Sequence, residues 1–255
     1  MISIAAALVL GASLDVSLQT EKRELTLKTA IDHPMEYYLS LPVGWHKGGT
    51  YPVVLIIESA NREFQANAME FVKASPSLPY VLVAPVVLTG GGSNIHPVPT
   101  YHYSGKTWKL IDTKGPWKFD VDGIRSILAE VRALYGGEKQ VFATGWEAGC
   151  HTLWALLFEH SDWFRAVAMV CPNYLGRWLL PPHPAENTQV PIRILAGKND
   201  DAWAPGRPLF DQTENALVEA GKRGFKNIAK EIVPGEGHSC LAHAVIRYFE
   251  TVRTQ

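Results

Sequence analysis

The hydrophobic pattern changes character early in the chain. Arg23–Thr29 (RELTLKT) and Met35–Leu41 (MEYYLSL) alternate apolar and polar residues, which predicts an antiparallel strand pair turning at Asp32–Pro34. Five short, continuously apolar runs follow: Val53–Ile57, Val81–Ala84, Val141–Ala143, Ala166–Val170 and Ile192–Ala196. Such runs fit strands buried on both faces, as in a parallel sheet. Helical patterns lie between and after them. Asp120–Tyr135 places Val121, Ile124, Ile127, Leu128, Val131 and Leu134 at helical spacing and stops at Gly136–Gly137. Gly149–His160, Pro208–Arg223 and Ser239–Thr251 continue the series, with a last strand ahead of Pro234. The alternation predicts an α/β fold: a mostly parallel central sheet of about eight strands with helices on both faces.

Two segments break this rhythm. Residues 86–119 are rich in Gly, Pro and aromatics and predict a long loop, placed by the carboxyl-end rule for open α/β sheets as a wall of a binding cleft. Ile2–Ala12 is an apolar run of about eleven residues, too short for the roughly 20 that span a bilayer. With small residues at Gly11–Ser13 it reads as a secretory leader over residues 1–19, followed by one domain over residues 20–255. The expectation is export to the periplasm or beyond, with no stable membrane span.

Composition narrows the function. The 255 residues are 47% hydrophobic and 19% charged, enough for a core that needs no disulfide or metal staple. Lys+Arg (24) and Asp+Glu (25) nearly cancel, leaving a formal net charge of -1, which excludes nucleic acid as the main partner. Cys150, Cys171 and Cys240 are too few for a disulfide framework and lack zinc-site spacing. They read as three buried small hydrophobes, or as one bridge and a free thiol. No metal and no cofactor is expected. Several tryptophans fall between the patterned segments, Trp146 and Trp203 among them, and could line a cleft for a small-molecule or carbohydrate-linked ligand.

The chemistry concentrates in three loops. Thr144-Gly145-Trp146-Glu147-Ala148-Gly149 joins a buried strand to a helix, and Gly-x-nucleophile-x-Gly at such a junction is the sharp turn of α/β hydrolases. The following HTLWALLFEHSDWFRAVAMVCP is similar to the helix and next strand of capless esterases of the feruloyl-esterase and polyhydroxybutyrate-depolymerase kind. The resemblance runs from about Arg23 to Thr251. It implies an α/β-hydrolase fold without a cap domain, since only 53 residues lead from Glu147 to Asp200. It also implies Asp200, in GKNDDAWAP, as the acid of a triad, with Asp201 as runner-up, and His238, in PGEGHS, as its histidine. The backbone N–H groups of Ala60 and Ala148 fall where the family binds an oxyanion.

The sequence departs from that family at its centre. Glu147 stands where the family has serine, and a carboxylate has no proton for His238 to remove. Glu58-Ser59-Ala60-Asn61 replaces the usual His-Gly stretch, so Glu58 and Glu147 are expected to share a cleft, where paired carboxylates would raise one pKa. Glu58, Trp146, Trp203 and His102 are the expected substrate contacts, and Glu147 is expected beside His238. Three functions follow. Glu147 attacks an electrophile or activates water in a hydrolase of an ester or related electrophile; a degenerate hydrolase binds a small molecule or carbohydrate without turnover; or Glu147 with His238 or Glu58 holds a metal, which no ligand spacing supports.

Overall fold

A computed structural model describes residues 23–91, 100–181 and 184–255. The expected leader, and His96 in the expected loop, lie outside the described residues. The elements run β1 (Thr26–Thr29), β2 (Glu36–Ser40), β3 (Val53–Ile57), α1 (Phe64–Ala74), β4 (Val81–Pro85), α2 (Gly105–Lys114), α3 (Pro116–Tyr135) and β5 (Val141–Trp146). They continue with α4 (Gly149–Glu159), β6 (Phe164–Val170), β7 (Ile192–Gly197), α5 (Pro208–Lys222), β8 (Ile228–Val233) and α6 (Ala242–Arg253).

The eight strands form one mostly parallel sheet, as the hydrophobic pattern predicts, in the order β1-β2-β4-β3-β5-β6-β7-β8. β1 and β2 pair antiparallel, β2 pairs antiparallel with β4, and all other pairs are parallel. Every residue of β3 and β4 is buried, which is why both read as unbroken apolar runs. β8 closes the edge and alternates with exposed Lys230 and Ile232.

The chain leaves β3 toward β4 on one side and reaches β5 on the other, so strand order reverses between β3 and β5. Open α/β sheets carry their ligand crevice at such a reversal, beyond the carboxyl ends of the strands. Ile57 is in register with Gly145, which brings Glu58 and Glu147 out on adjacent strands at that crevice.

Three expectations need correction. Residues 86–119 are not a structureless loop: Ser104 accepts a capping hydrogen bond from the Thr107 N–H and starts α2, and Pro116 starts α3. The helix expected from Ser239 begins only at Ala242, because Leu241 adopts a left-handed φ of 48°. α1 was not foreseen, although Phe64, Ala68, Phe71 and Val72 bury one face at helical spacing. All three cysteines are buried and free.

Candidate active site

Glu147 occupies the turn between β5 and α4 with φ 48°, a conformation that costs a non-glycine residue roughly 1–2 kcal/mol. Three hydrogen bonds hold the turn: the Glu147 N–H donates to the Val170 carbonyl (2.8 Å), and the Cys150 and Asn173 N–H groups donate to the Glu147 carbonyl (3.0 and 3.1 Å). Gly149 is required by close packing. A Cβ there would lie 2.4 Å from the Glu58 carbonyl oxygen, so only glycine lets α4 approach the end of β3.

Asp200 follows β7 and is 4% exposed. Its Oδ1 accepts from the Ala202 and Trp203 N–H groups at 2.9 and 3.2 Å. Its Oδ2 lies 2.8 Å from His238 Nδ1 and accepts the Cys171 thiol at 2.8 Å. Burial alone would raise the Asp200 pKa, but the bonds from Cys171, His238 and the backbone outweigh it and hold the group below the usual carboxylate range. The carboxylate can only accept, so Nδ1 carries the proton and Nε2 is left as a base. Cys171 has φ 44° and lies directly past β6, at the same edge of the sheet. Sequence reasoning read it as a buried small hydrophobe or a member of one bridge and a free thiol, never as a partner of Asp200; its place after a buried run at the carboxyl edge was the available signal. Cys171, Asp200 and His238 also form a set of potential metal ligands within 4.8 Å of one another. Their 2.8 Å spacings are those of thiol and imidazole donors sharing one carboxylate oxygen.

Among the described residues no hydrogen bond or ion pair joins Glu147 to His238. His238 instead packs against the Trp146 indole, with ring centroids 5.8 Å apart. The oxyanion positions are open: neither the Ala60 nor the Ala148 N–H donates to another described residue. Ser59 does not prevent a turn. The Arg62 N–H closes it on the Ser59 carbonyl, with φ 60° at Arg62, while the Ser59 hydroxyl donates to Glu58 Oε1 at 3.0 Å.

Glu58 is 1% exposed, and burial pushes its pKa up to about 7 against the hydrogen bond from Ser59. The expected cause was a paired carboxylate at Glu147. Burial dominates instead, and the charged neighbour that adds to it is Glu63. Glu58, Trp146 and His238 line one cavity of about 460 Å³. Two expected contacts lie elsewhere. Trp203 is buried, with its indole N–H on Thr213 Oγ1 at 2.8 Å and its ring on Phe210, because the loop after Asp200 folds it into the core. His102 sits 3.4 Å from Glu36 and lines a neighbouring cavity with Tyr38 and Phe64.

No protein-family model and no curated protein sequence matches the chain. Solved structures do match. A poly(3-hydroxybutyrate) depolymerase from Bordetella parapertussis superposes with a TM-score of 0.59 at 19% identity, over 90% of each chain. A dienelactone hydrolase structure from Klebsiella pneumoniae, assigned to that activity provisionally, gives 0.60 at 17% identity over 91% of this chain and 99% of its own. A ferulic acid esterase from Anaeromyces mucronatus gives 0.58 at 16% identity over 92% and 91%. The fold of this chain is the α/β-hydrolase fold.

Proposed function

We propose that the protein hydrolyses an ester or related electrophile on a small-molecule or carbohydrate-linked substrate, with Glu147 as nucleophile and His238, backed by Asp200, as the base for water. The observation that carries this reading is the intact 2.8 Å Asp200–His238 pair at the sheet edge that holds Glu147 on its strained turn. Glu147 needs no base for its own attack, because a carboxylate is already ionised. Its oxygen bonds to the electrophilic carbon, and the leaving group departs and takes a proton from solvent. His238 Nε2 then removes a proton from water, and the water oxygen attacks the carboxyl carbon of Glu147. The free N–H groups of Ala60 and Ala148 are available for the oxyanion formed in that step. Collapse breaks the bond to the substrate fragment, which takes the proton from His238, and Glu147 ionises again.

The test uses a panel of activated esters, lactones and epoxides. Turnover in heavy-oxygen water should place label in the Glu147 carboxylate, and His238→Gln should accumulate a covalent adduct on the peptide bearing Glu147. Turnover with neither label nor adduct overturns the mechanism. Binding of panel compounds with no turnover would favour the second reading, a ligand-binding hydrolase scaffold. That reading draws support from Glu147 itself, which offers His238 no proton.

A further inference from the structure

The cavity beside His238 carries unmet hydrogen-bonding demand at its buried end. Glu58 Oε2 and Asn67 Oδ1 are both buried without a partner, on residues only 1% and 6% exposed. Both residues line the cavity. Buried acceptors left unpaired each cost about 1–3 kcal/mol, so an occupant that brings donors gains what the free protein lacks.

Two carboxylates beside them are unopposed. Glu63 and Glu236 line the same cavity, and neither is in an ion pair among the described residues. Elsewhere on the lining, Glu70 pairs with Lys73 at 2.7 Å, and Arg247 pairs at 3.1 Å with Glu231, a carboxylate it shares with Arg193. The Trp146 ring forms part of the wall, and an indole face attracts a cation. Two orphaned acceptors, unpaired carboxylates and an indole therefore ask for a group with several N–H donors and a positive charge.

We propose that this cavity is a subsite for a primary ammonium group, bound by Glu58 and Asn67, so that the substrate class is an amine-bearing ester or related electrophile. Three N–H donors suit two oxygen acceptors and leave one over for a water or a third contact. Burial holds Glu58 near neutrality as an acid, and an ammonium ion favours its ionised form, so the subsite charges when it is filled.

The substrate class rests on the hydrolase reading, whereas the subsite itself does not, so the test measures binding without turnover. Benzylammonium and its neutral counterpart benzyl alcohol are titrated into the full chain by calorimetry, in wild type, Glu58→Gln and Asn67→Leu. Thermal melts confirm that each variant is folded. Benzylammonium should bind at least about tenfold more tightly than benzyl alcohol, and Glu58→Gln should erase most of that preference. Glu63→Gln with Glu236→Gln, on exposed side chains, should weaken it about two- to threefold and guards against a folding failure at Glu58. Equal binding of the two probes, no binding of either at tens of millimolar, or a preference unchanged by Glu58→Gln would overturn the proposal. A missing Glu147 adduct would overturn the hydrolytic mechanism and leave the subsite standing.

Discussion

On the β6–β8 side of the crevice, both oxygens of Asp200 are engaged by four donors, and its charge is stabilised. On the β3–β5 side, Glu58 Oε2 and the Trp146 indole N–H are buried without a partner, and Glu58 is held partly protonated. The first side is a hydrogen-bonded His–Asp pair with no vacancy on the carboxylate. The second carries a strained carboxylate at Glu147 and, among the described residues, two N–H groups and two acceptors without partners. An engaged His–Asp pair and an unsatisfied pocket meet at one strand reversal, and under the proposed mechanism proton transfer falls to one side and substrate to the other.

The largest effect should come from breaking the first side. In a Glu147→Ser background, Asp200→Asn should lower ester hydrolysis by roughly 10³–10⁴-fold, because Nδ1 loses the carboxylate that fixes the tautomer. Steady-state kinetics on an activated ester checks it, and a loss below tenfold would show that Asp200 is ornamental to His238.

The two sides should also differ in the sign of their pH dependence. The Asp200 pKa is lowered on folding, so its contribution is complete above the ordinary value of 3.8 and is lost as pH falls through the lowered one. The Glu58 pKa is raised from 4.5 to about 7, so between these values the unfolded chain ionises while the folded chain does not. Stability therefore falls across that window and the full loss is present above pH 7. Glu58→Gln removes it and should be more stable than wild type by on the order of 2–3 kcal/mol near pH 8, with little difference near pH 4. Chemical denaturation at the two pH values tests this, and an equal difference at both would contradict it.

Much of this comparison was legible in the sequence. The three loops and their strands were readable because each functional residue follows a buried apolar run at a chain position with few alternatives, as Glu147 follows VFATGW and Asp200 follows IRILAGKN. What could not be read was packing between distant segments. Cys171 and Asp200 are 29 residues apart, and nothing local joins a thiol to that carboxylate. Trp203 lies three residues past Asp200 and looked like a cleft residue, yet its indole turns inward to Thr213 on α5. Asn67 and Glu63 went unnoticed because α1 itself did, so the acidic cavity had no sequence signature.

A smaller effect sharpens the first side. Cys171→Ala should weaken hydrolysis by Glu147→Ser about fivefold, the worth of one hydrogen bond of about 1 kcal/mol to Asp200. The acid limb of the pH–rate profile should move as well, and Cys171→Ser should restore both. Loss of rate with no movement of the profile would mean that Cys171 matters to packing alone.

The most direct test installs the group the site lacks. Wild type should turn over simple p-nitrophenyl esters poorly, because His238 has no hydroxyl to activate at Glu147. Glu147→Ser supplies one on the turn at the sheet edge that carries the Asp200–His238 pair, with the Ala60 and Ala148 N–H groups as the proposed oxyanion donors. The account predicts p-nitrophenyl acetate hydrolysis by folded Glu147→Ser well above both wild type and Glu147→Ala. A folded Glu147→Ser as silent as Glu147→Ala, or robust wild-type turnover that survives Glu147→Ala, would contradict it.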